Sequence, residues 1–276
     1  NKLSLKSHNS DFNLLCLPTD NFPSFADNFD GKEISLENNK FLKLLNKTRI
    51  SISNDDTRHY LNGVFLHITE AHERNFLTGV ATDSHRLSSS SIEIENLGDF
   101  KSLILPRKAV YQLISLLTEN SDSLMMQVSE NKIKFSLGKI KLISKVIDGK
   151  FPDYRKVIPA NNDKTLVVST KEFINSIERV ASVSIDRKEG VKLAIVKDNV
   201  QLSVTSANSG EGNEKIKASF NSDNLNISFN SKYLLEIASE VEDKDLKINL
   251  KDSASPVLVE DKSDKNSFYV IMPMKI

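Results

Sequence analysis

The 276-residue sequence contains one cysteine, no tryptophan and only 9 glycines. A lone cysteine cannot close an internal disulfide, and a reducing cytoplasm is its natural compartment. Cys16 lies in the apolar stretch FNLLCL and reads as a small buried apolar residue. The few glycines form neither G-x-x-x-x-G-K nor G-x-G-x-x-G, so no nucleotide cradle is legible. No run approaches the roughly 20 apolar residues that span a bilayer. The opening NKLSLKSHNSDF lacks the apolar centre of a signal peptide. It also lacks Met and starts as though inside a strand, which gives the expectation of a piece of a longer chain. An excess of charge is missing too, with 37 basic and 37 acidic residues. Neutrality does not announce nucleic acid, yet it permits a local positive stripe, because arrangement matters as much as the sum.

What the sequence does have is repetition. Four segments share a short strand, a polar break and an amphipathic helix: EISLENNKFLKLLNKT (33–48), LILPRKAVYQLISLL (103–117), LVVSTKEFINSIERV (166–180) and ISFNSKYLLEIASEV (227–241). In the second, Val110, Leu113, Ile114 and Leu117 fall on one helical face. Phe173, Ile174, Ile177 and Val180 do so in the third, and Leu234, Leu235, Ile237 and Val241 in the fourth. Pro, Ser, Thr and Asn in the breaks suit helix starts. Between the helices lie alternating strands punctuated by turns, as in LMMQVSENKIKFSL (124–137) and VKLAIVKDNVQLSVTS (191–206). NLLCLPTDNFPSF (13–25) and KLISKVIDGKFPDY (141–154) both run an apolar strand into a Phe-Pro corner. The unit is one helix plus about four strands, and two units make one domain. The class is α+β, with two full domains preceded by the tail of another.

Each helix carries a Lys in its opening turn: Lys40, Lys108, Lys171 and Lys232. A cation there opposes the helix dipole at a cost of a few tenths of a kcal/mol. Either these are solvated faces in a Lys-rich chain, or four helices turn one basic face toward a polyanion.

The stretch GVATDSHRL (79–87) holds the residue types of a hydrolase triad, Asp83, Ser84 and His85. In a strand, adjacent side chains point to opposite faces, so three consecutive residues cannot converge. The stretch also lacks a G-x-S-x-G elbow. His59, His67 and His72 show no metal-ligand spacing, so no metal or cofactor is expected. A DNA-acting hydrolase using Asp83 and His85 remains one alternative, and a peptide-binding scaffold unconnected with DNA is another.

DTRHYLNGV (56–64), VATDSHRL (80–87), LPRKAVYQLISLL (105–117), KVIDGKFPDYRKVIP (145–159) and YVIMPMKI (269–276) appear in the order and spacing of a known family. On these motifs the whole chain resembles the bacterial sliding clamp, the beta subunit of DNA polymerase III. The resemblance implies tandem clamp-fold domains, each with two helices packed on antiparallel sheets. Residues 1–29 match the last hairpin of a mostly missing first domain, 30–157 the middle domain and 158–276 the C-terminal domain. It also implies a non-enzymatic processivity factor, whose subunits pair head to tail into a homodimer ring with sheets outside and helices facing duplex DNA. Without the first domain, this chain is expected to bind partner peptides but not to close a ring by itself. Sequence-independent grip by topology then makes overall neutrality no objection. The implied partners are duplex DNA and, through short peptide motifs, the replicative polymerase catalytic subunit, the clamp loader and repair polymerases.

By the same resemblance, a peptide cleft is lined from the middle domain by Leu61, Thr82, Ser84, His85, Arg86 and Leu87. The domain boundary adds Pro152, Lys156 and Val157. Ala254, Pro256, Val270, Ile271, Met272, Pro273 and Met274 close it from the last domain. His85 and Arg86 are expected to supply rim polarity, and Met272 and Met274 adaptable filling. Three positions depart from the family pattern. Ser84 stands for the usual Gly, Lys156 for a frequent Arg and Pro256 for a frequent Ser. For DNA, the resemblance points to Arg58, His59 and Tyr60 in the loop NDDTRHY (54–60). Arg107, Lys108 and Lys171 are the helix-borne candidates, with Arg179, Arg187 and Lys188 as further ones.

Overall fold

The computed structural model describes residues 1–22, 29, 31, 33–95, 100–120, 123–184 and 190–275. Two units follow one another along the chain, Asn1–Asp30 and Gly31–Ile276. In the first, β1 (Lys2–Ser7) and β2 (Ser10–Leu15) form an antiparallel hairpin. Its register pairs Leu3 with Leu14 and Leu5 with Phe12, which puts four exposed apolar side chains on one face. Cys16 is exposed rather than buried. A two-stranded ribbon has no second layer of its own to cover a thiol. Of the Phe-Pro corner expected there, Pro23, Ser24 and Phe25 lie outside the described residues.

The second unit is built from four copies of strand–helix–three strands, the unit expected from the sequence. The first copy is β3 (Glu33–Leu36), α1 (Asn38–Arg49), β4 (Gly63–Ala71), β5 (Arg74–Thr82) and β6 (Arg86–Glu93). The second is β7 (Leu103–Pro106), α2 (Arg107–Glu119), β8 (Leu124–Val128), β9 (Lys132–Leu137) and β10 (Ile140–Lys145). The third is β11 (Lys164–Ser169), α3 (Thr170–Ala181), β12 (Gly190–Val196), β13 (Asn199–Ser206) and β14 (Gly210–Phe220). The fourth is β15 (Leu225–Asn230), α4 (Ser231–Ser239), β16 (Asp245–Leu250), β17 (Val257–Asp261) and β18 (Asp264–Ile271). Ser169 accepts from the Glu172 amide and Asn230 from the Tyr233 amide, so the polar breaks before α3 and α4 act as caps. Glu37 and Pro106 precede α1 and α2 without a side-chain cap.

Copies interlock in pairs. The leading strand of each copy joins the sheet of its neighbour: β3 pairs with β8 and β7 with β4, while β11 pairs with β16 and β15 with β12. No copy can bury its apolar stripe without the other, which is why two make one packing unit. α1 packs on α2 and α3 on α4. Phe41, Leu44, Val110 and Leu113 fill one core, and Phe173, Ile177, Leu234 and Ile237 the other. Among the described residues no helix is long and apolar enough to cross a membrane.

The two halves share one sheet. β18 pairs antiparallel with β6, Ser267 opposite Ser90 through Ile271 opposite Arg86. This seam makes a 12-stranded sheet in the order β15-β12-β13-β14-β11-β16-β17-β18-β6-β5-β4-β7. On the helix-bearing face an ion cluster crosses the seam. The Lys47 ammonium, 2% exposed on α1, donates to the Glu240 carbonyl at 2.9 Å. It also lies 3.4 Å from the Asp261 carboxylate and 3.5 Å from that of Asp264. Lys43, one turn earlier, reaches Glu242 at 3.0 Å and Asp264 at 3.2 Å.

Candidate functional site

Strand register decides which residues share a face. Leu258 lies opposite Val270, Val270 opposite Leu87 and Leu87 opposite Thr82. One pair along, Glu260, Phe268, Ser89, Val80, Phe65 and Ile104 form a parallel stripe. Because alternate residues face alternate sides, both stripes lie on the face away from the helices. The 3-10 turn Asp56–Leu61 and the segment around Phe151–Tyr154 cover that face. Leu61, Val80, Leu87, Ile104, Phe151, Tyr154 and Val270 form one buried cluster across the seam. The Phe65 and Phe151 rings stack at 4.8 Å, and His67 Nε2 meets the Tyr154 hydroxyl at 3.1 Å. Burial, the largest influence, holds the His67 imidazole below its ordinary pKa and pushes the Tyr154 hydroxyl above its own.

In the chain segments that adjoin this cluster several apolar groups are exposed. Val157 is 48% exposed, Met272 40% and Met274 37%. The backbone beneath the methionines is fixed. The Met272 amide donates to the His85 carbonyl at 2.8 Å and the Met274 amide to the Ser228 carbonyl at 2.7 Å. Pro152 and Lys156, close to Val157 in sequence, are exposed, with Lys156 3.5 Å from Asp153. Pro273 is half-buried and Ala254 exposed. Pro256 is half-buried, and its carbonyl accepts from Asn162 Nδ2. The predicted cleft residues Leu61, Leu87 and Val270 therefore meet in one floor.

Two predicted lining residues turn the other way. Ile271 is fully buried, and Arg86, paired with it across the seam, shares the helix-bearing face. Arg86 is 7% exposed, so little of it is open to supply the rim polarity expected of it. Its guanidinium bonds Asp83 at 3.0 Å and Glu236 on α4, and sits 4.1 Å above the Tyr233 ring. A cation so enclosed joins the halves of the chain instead of greeting solvent. The period-2 rule that puts Leu87 in the floor puts Arg86 behind it.

Asp83, Ser84 and His85 lie in the turn between β5 and β6, not in a strand as expected. Ser84 has φ +77°, the left-handed region that favours glycine. The Asp83 carboxylate accepts from the amides of His85 and Arg86, closing the turn. The Ser84 hydroxyl accepts from Arg58 Nη1 at 2.6 Å, and the His85 ring lies 6.3 Å from that of Tyr233. The three side chains are committed to different neighbours, which removes the support for a hydrolase. Among the described residues no group of three or more His, Cys, Asp or Glu is arranged to hold a metal ion.

The predicted DNA-facing residues gather partly. The Arg107 amide donates to the Asn62 carbonyl at 2.9 Å, bringing the start of α2 against the end of the 54–62 loop. A hollow of about 570 Å³ there is lined by Arg107, Lys108, Tyr111 and Asn54, with Asp56 as its acidic member. Arg107 lies over the Tyr111 ring at 5.5 Å. In the loop, Asp55 accepts from Thr57 and pairs with Arg58 at 3.0 Å. Those bonds, Thr57 foremost, hold the Asp55 carboxyl below its ordinary range. His59 Nε2 lies 3.1 Å from the Asp148 carbonyl, and Tyr60 is half-buried beside it. Lys108, Lys171 and Lys232 are exposed, while Lys40 is paired with Glu37 at 2.6 Å. Arg179 is engaged by Glu214, and Arg187 and Lys188 lie outside the described residues.

Sequence reasoning missed Tyr233, Val80, Phe151, Tyr154 and Ile158. Tyr154 and Phe151 were in plain view beside Pro152. Their role is set by chain crossing the open face, which no periodicity encodes. Tyr233 sits on a helix whose apolar stripe gave no hint that Arg86 would rest on it.

Comparison with known proteins fits this architecture. Residues 35–153 match the family model for the central domain of the DNA polymerase III beta subunit, and residues 155–275 match its C-terminal domain. The beta sliding clamp of Caulobacter vibrioides is 33% identical over 276 residues, covering 100% of this chain and 74% of its own. That of Escherichia coli is 31% identical over 275 residues, with the same coverage. Among solved structures, a Bartonella birtlesii sliding clamp bound to griselimycin superposes with a TM-score of 0.93 at 37% identity, covering 99% of this chain and 74% of that one. A Caulobacter crescentus sliding clamp does so at 0.92 and 33%, covering 100% and 74%. The chain belongs to the DNA polymerase III beta subunit family, the beta sliding clamps, which are non-catalytic processivity factors of DNA polymerase.

Proposed function

We propose that this chain works in the bacterial cytoplasm as part of a ring that encircles duplex DNA. It tethers the replicative polymerase catalytic subunit, repair polymerases and the clamp loader through short peptides docked at the seam. Residues 30–157 serve as the middle domain and 158–276 as the C-terminal one. The reading is supported by the buried apolar cluster of Leu61, Leu87 and Val270 across the seam, with Val157, Met272 and Met274 exposed in the chain segments that adjoin it. Apolar anchors of a peptide gain most from such a floor, and thioethers adapt to several clients. Lys108 and Lys171, with Arg107 and the 58–60 loop, are the phosphate contacts, weak singly and blind to sequence.

Ring closure is argued from the repeats. β18 pairs with β6 at the seam, and the counterpart of β6 in the second pair of copies is β14. The counterpart of β18 is β2, since both end a copy. We therefore assign ring closure to pairing of β2 on one subunit with the 210–217 stretch of β14 on another, which β13 pairs on one side and β11, reaching only 218–220, leaves open on the other.

Loading onto nicked circular DNA by the clamp loader tests the reading. A subunit that also carries a complete first domain should stay on the circle through gel filtration and be lost when the DNA is linearised, whereas this 276-residue chain alone should not be retained. Charge reversal of Lys108 and Lys171 should weaken DNA binding and lower its salt dependence by about two ion equivalents. Equal retention on circles and linear DNA would refute encirclement.

A further inference from the structure

Beyond the cleft the same sheet face continues into a groove of about 460 Å³. Ile158, Leu258 and Phe268 form its apolar floor, and Lys247, Lys262 and Lys265 stand around it. Continuity with the cleft is structural. Leu258 lies directly opposite Val270, Phe268 is two residues before Val270 on the same face, and Ile158 follows Val157. All three floor residues pack against the buried cluster that contains Leu61, Leu87 and Val270.

The charges of the groove do not cancel. Glu260 is engaged by Lys247 at 2.8 Å and Asn249 at 2.6 Å. The Asp261 carboxylate turns to the other face, where it meets Lys47 and the Glu242 amide. Lys262 and Lys265, both exposed at the β17–β18 turn, have no ion-pair partner among the described residues. Two uncompensated ammonium groups therefore stand at the far end of an apolar trough that opens from the cleft.

We propose that this groove is a second docking segment, which receives the flank of a cleft-bound peptide and selects partners whose flank carries carboxylates. The proposal rests on the cleft being a peptide site. Lys265 and Val270 are five positions apart on β18, a path of about 16.5 Å at 3.3 Å per residue. Acidic residues about five positions from the apolar anchor over Val270 would reach Lys262 and Lys265, with an apolar residue between them over Phe268. A peptide suits the groove better than a nucleic-acid backbone, because phosphates gain nothing from the Ile158–Leu258–Phe268 floor.

Fluorescence anisotropy with labelled peptides tests this. The probes are a core peptide with a polar anchor and aliphatic residues, and the core extended at either end by an aspartate-rich or a serine-rich flank. The aspartate flank at one end should tighten binding about three- to tenfold over its serine counterpart at low salt, fading as salt rises. The double variant Lys262→Glu/Lys265→Glu should bind the core as the parent does and lose that gain. Absence of the gain, or its persistence in the variant, refutes the second segment while core binding leaves the cleft standing. A core peptide that fails to bind at all refutes the cleft itself. Loss of affinity for duplex DNA in the variant, without change in the flank effect, would assign the lysines to nucleic acid and overturn the proposal.

Discussion

Replacing Lys47 by alanine isolates the ion cluster behind the seam. The ammonium is 2% exposed and the Asp261 carboxylate 0% exposed, so neither charge is relieved by water. Truncation leaves Asp261, Asp264 and the Glu240 carbonyl without their shared cation. Breaking one side of a buried pair typically costs about 3–5 kcal/mol. The Asp261 carboxyl retains the amides of Glu242 and Ser263 and the Ser263 hydroxyl, which places the expected loss near the lower end, about 3 kcal/mol. Urea unfolding of Lys47→Ala, Asp261→Asn and the double variant gives the coupling between the two residues. It should exceed about 1 kcal/mol. The pH dependence has a definite sign. Burial pulls the Asp261 carboxyl up, but hydrogen bonds from Ser263 and Glu242 and the charge of Lys47 outweigh it, leaving a pKa of about 2 against an ordinary 3.8. A depressed carboxylate stabilises the fold above its unfolded value, and that stability is lost as pH falls from about 4 toward 2. The shift corresponds to about 2 kcal/mol. Lys47→Ala should flatten this part of the acid limb. A loss under about 1 kcal/mol, with no change in the acid limb, would refute the view that the cluster holds the halves together.

At Ser84 the left-handed φ predicts that Ser84→Ala is less stable than Ser84→Gly by about 1 kcal/mol, since both lose the Arg58 bond and only glycine sheds the strain; equal melting temperatures would contradict this. For His67, burial lowers the folded pKa below the ordinary 6.5. Stability from its neutral form is complete above pH 6.5 and declines as pH falls toward the folded value. His67→Phe should remove that decline from a series of melts between about pH 7 and 5. Arg86→Met removes the guanidinium from between Asp83, Glu236 and Tyr233. It should cost about 3 kcal/mol in urea unfolding, whereas a neutral outcome would return Arg86 to the surface role first expected of it.

Much of this molecule is written locally. The helical stripes at Val110–Leu117 and Phe173–Val180, and the alternation in KIKFSL, depend on neighbours within a few residues, so they were legible. Four recurrences of one pattern then gave the pairing of copies. The grouping of Leu61, Leu87 and Val270 was legible only through resemblance, because the three come from distant segments: register sets Val270 against Leu87, and the 56–61 turn brings Leu61 to them. Arg86 shows where the reading fell short. Its neighbours in sequence announce a binding loop, while its partners Glu236 and Tyr233 lie about 150 residues away on α4. The exposed Cys16 marks a different limit, since apolar neighbours foretell burial only where a second layer exists.

The pinned amides of Met272 and Met274 carry a thermodynamic consequence. A segment that orders only when it meets a ligand gives up backbone freedom at that moment. Here the main chain is already tied to His85 and Ser228 on either side, and only thioether rotors stay loose. A peptide docked as proposed would therefore freeze a few side-chain torsions instead of a whole backbone segment, so a handful of residues would suffice without a large contact area.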